Sequence, residues 1–323
     1  MEKGHVLVGL DLGGMNIKYG VCFADGTIVE EFLRQTHKDA PAERILEDLK
    51  AAAQQAIQTA RRQGLEVQAV GIGTPGSVDV ERGYLKGSTP NFKAWKDVPI
   101  KEMLEQALQL PVYVDNDANV MAYGEYRFGA GRGYRTVISI TLGTGIGGGI
   151  ILNGKLYRGA NFAGAELGHM SISYRGKKCR CGGRGCWELY ASATSMIENF
   201  RRWSGDAHIT STRDIVEFYR KGHEAARRVM ETEIAMVAVG AASIINIFNP
   251  EIFIIGGGVS EAGDWFVEKI RQRVQQTAME QSLRGVRIVR AALGNKAGWL
   301  GAAAFAREEL LDNRNTENTH LTP

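Results

Sequence analysis

Cysteine is scarce in this chain, with four among 323 residues, and no secretory segment points to an oxidising compartment, so a disulfide-stapled scaffold is excluded. Long hydrophobic runs are missing as well. None reaches the roughly 18 uninterrupted apolar residues that cross a bilayer, and the expectation is a cytoplasmic protein without a membrane partner. Neither sign of charge dominates: 39 basic and 36 acidic residues leave a net charge of +3, which demands no nucleic-acid partner. A low-complexity linker is absent, and so is a Walker lysine loop. What remains is an ordinary globular composition, 44% apolar and 23% charged, at a length that suggests two domains and a sizeable core.

The few cysteines are clustered. Cys179, Cys181 and Cys186 lie together, with His169 just upstream and Glu188 two residues past the last. Three thiolates and a neutral imidazole make a tetrahedral set that suits zinc and leaves no open position, so the expected Zn2+ is structural. A disulfide from Cys179 to Cys181 would close a ring too tight for ordinary geometry. Cysteines that merely pack would not be interleaved by Arg180, Gly182, Gly183, Arg184 and Gly185, which is a turn composition. Arg175, Lys177, Lys178, Arg180 and Arg184 make this the densest basic stretch, read here as a solvated surface.

Residues 6–11 read as a buried strand, followed by a Gly13-Gly14 turn, a strand near 18–23, an Asp25-Gly26 hairpin and a third strand at 27–33. The chain should therefore open as an antiparallel meander. Apolar residues at Ile45, Leu49, Ala52, Ala56 and Ala60 predict a helix over 41–62. Strands follow at 68–73 and 111–115 with a helix near 99–109 between them. The second half restarts with similar grammar, a strand at 136–142, a glycine turn over 143–149 and a strand continuing at 150–152, which hints at an internal duplication. Helical patterns at about 188–203, 223–247 and 260–279 flank a strand at 251–255, and a strand at 286–292 and a helix near 297–311 close the chain. Motif order places a boundary near residue 118.

Backbone amides of a glycine turn can approach phosphate oxygens closely, and two turns qualify, Asp11-Leu12-Gly13-Gly14 and Gly143-Thr144-Gly145-Ile146-Gly147. Geometry alone would also explain such glycines. Asp11 ends a buried strand beside the first turn, where a carboxylate can hold Mg2+ through water or simply cap a hairpin. Asp115-Asn116-Asp117-Ala118-Asn119 follows a strand, so its polar side chains emerge where a substrate hydroxyl can be deprotonated. Helix capping competes for the same residues, with one of the acidic pair expected as the cap. Glu166 and His169 bracket a Leu-Gly step before the cysteine loop. If zinc takes one ring nitrogen of His169, the other can face a ligand oxygen.

In combination DLGGMNIKYG, GTPGSVD, TPNFKAW, DNDANVMAYGE, TLGTGIGGGI, GAELGH with the CxCGxxGCxE segment, NPEIFIIGGG and ALGNKAGWLGAA resemble the ROK family of sugar kinases and regulators, within the hexokinase and actin-like ATPase superfamily. The resemblance runs from about residue 6 to about residue 305. It implies an α/β, two-lobed actin-like ATPase (hexokinase/ROK) fold with a central cleft and a structural zinc loop. The expected lobes are 1–118, joined by the C-terminal helix of about 300–323, and 119–299 with the zinc loop at 169–188. By the resemblance Asp117 is the catalytic base. Sugar hydroxyls fall to Asn91, Asn116, Asp117, Glu166, His169 and Glu188. ATP falls to Asp11, Gly13, Gly14, Met15, Lys18, Gly143, Thr144 and Gly145, with the adenosine near Gly256, Gly257 and Gly258. Zinc falls to His169, Cys179, Cys181 and Cys186. One position departs from the pattern. Met15 stands where the family usually has threonine, and losing that hydroxyl removes about 1.5 to 3 kcal/mol of phosphate binding without abolishing turnover.

The implied activity is Mg2+- and ATP-dependent phosphorylation of a hexose, with a likeness greatest to glucokinase members making glucose 6-phosphate. Kinases for N-acetylated hexosamines (ManNAc or GlcNAc), mannose or fructose share the same residues, and polyphosphate is an alternative donor. The rival class is a sugar-responsive repressor, but its helix-turn-helix precedes the kinase-like region, whereas here the first strand begins at about His5. A sugar sensor without turnover is the other non-enzyme reading, motivated by Met15 alone. The resemblance also implies a homodimer or homotetramer.

Overall fold

The computed structural model describes residues 4–87 and 92–319, and the chain forms two compact units. One comprises the residues up to Arg132, Leu156–Gly164 and the chain from Asn295; the other comprises Gly133–Lys155 and Ala165–Gly294.

In the first unit β1 (His5–Leu12), β2 (Asn16–Cys22) and β3 (Ile28–Gln35) form the expected antiparallel meander. Helix α1 (Ala42–Arg62) buries Ile45, Leu49, Ala52, Ala56 and Ala60, the face that a 3.6-residue period turns towards a sheet. Strand β4 (Glu66–Thr74) then pairs parallel with β1. A hairpin of β5 (Val78–Asp79) and β6 (Tyr84–Leu85) follows; with two residues in each strand it is too short to leave a periodic signal. Next come α2 (Ile100–Leu108), β7 (Val112–Asn116), parallel to β4, and α3 (Asp117–Phe128).

The second unit opens with β8 (Val137–Leu142) and β9 (Ile146–Leu152), followed by β10 (Lys155–Leu156), where the chain passes back to the first unit. The glycine turn is shorter than the expected 143–149, because Gly147, Gly148 and Gly149 lie inside β9. Gly148 is there for packing: a Cβ on it would come within 2.7 Å of the Leu167 side chain. The helix expected from 188 starts later, since a 3-10 turn at Trp187–Leu189 precedes α4 (Ala193–Ser204). A Ser192/Ser195 capping box, with each side chain accepting from the other residue's backbone N–H, fixes that start. Helix α5 (Thr212–Arg220) was not anticipated, its buried face being only Ile215 and Val216. Helix α6 (Glu224–Phe248) is long and apolar enough to cross a membrane by length and composition. Its Val229, Met230, Ile234, Val237, Ala241 and Ile245 are nevertheless buried in the core of this unit.

Strand β11 (Ile252–Gly256) leads through a 3-10 turn at Gly258–Ala262 to α7 (Asp264–Thr277), later than the expected 260, and α8 (Glu280–Leu283) and β12 (Arg287–Arg290) follow. The last helix, α9 (Ala297–Thr319), belongs to the first unit. There it buries Trp299, Leu300, Ala302, Ala303 and Phe305, and the Phe305 ring meets Tyr113 of β7 edge-on at 6.5 Å.

The two main sheets run β3-β2-β1-β4-β7 and β10-β9-β8-β11-β12. In each, the first strand of its half is central, pairs antiparallel with the next strand and parallel with a later one. The duplication hinted at by the two glycine turns is thus a repeated strand order.

Candidate active site

In the first unit, β1 and β2 present Asp11 and Lys18 directly opposite one another. Asp11 is buried, and that burial pushes its carboxyl up to about 7; the charge of Asp117 adds to the rise and the Lys18 ammonium opposes it. Lys18 Nζ donates to Asn295 Oδ1 at 3.0 Å. The Asp11 carboxylate lies against the first turn of α9, where a Cβ on Gly298 would fall 2.4 Å from Asp11 Oδ2. A buried carboxylate with a second acid beside it suits a hard divalent cation, which relieves the repulsion between the two charges.

The turn between these strands is closed by the Gly13 N–H donating to the Asn16 carbonyl at 3.0 Å. Gly14 and Met15 form its tip, and the Met15 side chain is 79% exposed.

The run from Asp115 to Asn119 spans the junction of β7 and α3. Contrary to expectation, the amide Asn116 and not an acid caps α3. Its Oδ1 accepts from the N–H of Ala118 at 2.9 Å and of Asn119 at 3.3 Å, while its Nδ2 donates to the Gly76 carbonyl at 3.1 Å. An amide can do both; a carboxylate cannot donate. Asp115 is committed elsewhere, accepting from Arg158 Nε at 2.7 Å and from Asn119 Nδ2 at 3.0 Å. Asp117 takes the first helical position, its Oδ1 accepting from the Ala118 N–H at 2.9 Å. Asn91 lies outside the described residues. Arg158 was missed from sequence, because nothing local marks an arginine in a loop as the partner of an acid on β7.

In the second unit the turn at Gly143, Thr144 and Gly145 is closed by the Gly143 N–H donating to the Gly145 carbonyl at 3.0 Å. A Cβ on Gly145 would lie 2.3 Å from Glu188 Oε2, so the turn and Glu188 share one corner. Glu188 Oε1 in turn lies 3.6 Å from His169 Nδ1 and 3.5 Å from Cys179 Sγ. His169 Nε2 faces Glu166 Oε2 at 4.0 Å. Gly256 ends β11, and the following Gly257 packs so tightly on β8 that a Cβ would come 2.5 Å from the Leu142 backbone. Gly258 opens the 3-10 turn and has open space at its Cβ position.

His169, Cys179, Cys181 and Cys186 converge, all four donor atoms lying within 4.8 Å of one another. Cys181 and Cys186 Sγ are 3.5 Å apart and Cys179 Sγ is 3.7 Å from His169 Nδ1. A zinc tetrahedron with its usual bond lengths has edges of about 3.5 to 3.8 Å, so the donor set fits that ion. Burial pushes the Cys186 thiol up to about 12, with Cys181 and Cys179 adding to the rise. Burial also raises the Cys179 thiol, whereas the Gly183 N–H lowers that of Cys181; a bound cation would hold all three as thiolates. Local structure explains the convergence: Lys178 bridges to Arg184 and Ser171 to Cys186 in antiparallel fashion, folding the loop into a small knuckle. The Tyr190 hydroxyl accepts from the Lys177 N–H at 2.8 Å and ties its base.

Comparison with known proteins adds to this geometry. The model of the ROK family matches residues 7–309. The chain is 35% identical over 316 residues to a glucokinase of Thermotoga maritima, covering 94% of this chain and 98% of that one. It is 33% identical to a putative xylose repressor of a Caldicellulosiruptor species, covering 95% of this chain and 79% of that protein. Among solved structures it resembles a ROK family glucokinase of Streptomyces griseus in complex with glucose and AMPPNP, with a TM-score of 0.82, 36% identity and coverage of 94% and 99%.

Proposed function

The chain belongs to the ROK family, and from that membership we propose that it is an ATP-dependent hexose kinase converting glucose to glucose 6-phosphate. The observation that carries this reading is end-to-end similarity to glucokinases, one of them solved with glucose and an ATP analogue. Asp117, at the first position of α3, takes the proton of the sugar 6-hydroxyl as that oxygen attacks the terminal phosphorus of ATP. The bond from that phosphorus to the bridging oxygen breaks, and ADP leaves. Asn91, Asn116, Glu166, His169 and Glu188 hold the remaining sugar hydroxyls.

The N–H groups of the Gly13-Gly14-Met15 and Gly143-Thr144-Gly145 turns receive phosphate oxygens, and Gly256 to Gly258 offer the adenosine a surface without side chains. Asp11 and Lys18 complete the phosphate end. Mg2+, when held there through Asp11, supplies charge neutralisation at the phosphates. Zn2+ held by His169, Cys179, Cys181 and Cys186 is structural, fixing the orientation of His169 and the neighbouring Glu188. The protein works in the cytoplasm, where its thiols stay reduced, and it self-associates as a homodimer or homotetramer.

A sugar-responsive sensor without turnover is the second reading, favoured by the similarity to a repressor and by Met15. Magnesium-dependent ADP release, measured against glucose, mannose, fructose, N-acetylglucosamine and N-acetylmannosamine, separates the two. Glucose-dependent release establishes the kinase, a stronger response to another sugar reassigns its substrate, and silence in folded, zinc-loaded protein that still binds sugar establishes the sensor.

A further inference from the structure

Each of the two glycine turns is gripped from behind. Thr36, just past β3, donates its hydroxyl to the Gly13 carbonyl at 2.8 Å and its N–H to the Met15 carbonyl at 2.9 Å. Thr194, in the first turn of α4, donates its hydroxyl to the Thr144 carbonyl at 2.7 Å, and the neighbouring Ala193 N–H donates to the Gly143 carbonyl at 2.8 Å. A hydroxyl and an N–H from an adjacent segment thus hold two carbonyls of each turn, although the two segments share no sequence pattern.

We propose that Thr36 and Thr194 are positioning residues that aim the N–H groups of the two glycine turns at the nucleotide phosphates; the proposal rests on the kinase reading of the site. In a trans peptide the carbonyl and the following N–H point in opposite directions. Holding the Gly13 carbonyl therefore turns the Gly14 N–H away from Thr36, and holding the Thr144 carbonyl turns the Gly145 N–H away from Thr194. Glycine flanks each of these peptides and tolerates the flipped orientation, which would face a phosphate with a carbonyl oxygen. The latches remove that alternative. Both are themselves anchored. Thr36 is 6% exposed, and its neighbour His37 places Nδ1 2.7 Å from Oδ2 of the buried Asp48 on α1. Thr194 sits inside the Ser192/Ser195 capping box.

The test uses Thr36→Val and Thr194→Val in the full chain, which keep the side-chain shape and remove the donor. A turn aligned for only part of the time raises the apparent KM for ATP in inverse proportion to the aligned fraction, so each variant should raise it by about fivefold for one lost hydrogen bond. The hexose KM should stay unchanged, hydrogen exchange over residues 13–16 or 143–146 should accelerate, and serine at either position should restore both. His37→Ala, which removes the contact with Asp48 that anchors the first latch, should produce a smaller rise in the ATP KM alone. An unchanged ATP KM with unchanged exchange overturns the latches, as does an equal rise in the KM of both substrates, which would mean general loosening. Wild-type protein without hexose-dependent turnover refutes the kinase reading instead; the exchange comparison then decides the latches, acceleration upholding them and no change overturning them.

Discussion

Replacing Arg158 by methionine tests whether the junction of β7 and α3 is held by charge. Asp115 is 1% exposed in its side chain and Arg158 19%, with 2.7 Å between Oδ2 and Nε. The guanidinium also lies 4.9 Å from the Phe305 ring and 3.8 Å from Glu309 Oε1. At an effective dielectric constant of 20 the close pair attracts by about 6 kcal/mol, most of it offset by desolvation. Methionine keeps the volume over Phe305 but strands the carboxylate, and losing one partner of a buried pair costs about 3 to 5 kcal/mol. Asp115 retains the Asn119 amide and the Asn116 N–H as donors, which puts the expectation at the lower end. Urea unfolding followed by intrinsic fluorescence measures this, and Asp115→Asn added to Arg158→Met should recover most of the stability. A loss below about 1 kcal/mol would refute the argument, since the pair would then be worth no more than an exposed one.

Asp117→Asn should keep hexose binding by calorimetry yet lose about two to four orders of magnitude in kcat, the usual worth of a general base; a near-normal rate would remove Asp117 from that role. Chelation of zinc, or Cys181→Ala, should weaken hexose affinity by releasing His169 and Glu188, and unchanged affinity in folded, metal-free protein would break that coupling. Glu233, buried in α6, has Oε1 without a hydrogen-bond partner among the described residues. Burial raises its carboxyl well above the usual value, with a hydrogen bond from Ser195 opposing. The folded protein keeps this proton at pH values where the unfolded chain has lost it, so stability falls as pH rises above the unfolded value, and below that value the group contributes no slope. Glu233→Gln should remove the slope and gain on the wild type between pH 5 and 8 in thermal melts; parallel profiles would show that the proton is not held. Met15→Thr should lower the KM for ATP by about tenfold if the added hydroxyl reaches a phosphate, and an unchanged KM would show that this tip does not touch the nucleotide.

Residue spacing alone was enough for the features held by near neighbours. The meander of β1 to β3 and the buried stripe of α1 follow from periodicity, and the convergence of His169, Cys179, Cys181 and Cys186 from donor types that fall within one short stretch of chain. The strongest local patterns were also where boundaries slipped. The glycines of β9 read as turn because nothing local reveals Leu167 pressing on Gly148, and α4 starts at a serine box that no apolar period announces. The run from Asp115 to Asn119 was legible as polar side chains at the end of a strand but its division of labour was not: Asn116 also donates to the Gly76 carbonyl 40 residues back, and Asp115 pairs with Arg158 43 residues on. Thr36 and Thr194 act on glycine turns 23 and 50 residues distant. The duplication, faint in the letters, is plain in the strand order. Spacing along the chain determines which backbone hydrogen bonds and hydrophobic faces form, because those are set by neighbours a few residues apart. Which polar groups satisfy one another is decided only when strands distant in sequence are laid side by side, since a buried donor or acceptor takes whichever partner the packing brings within about 3 Å.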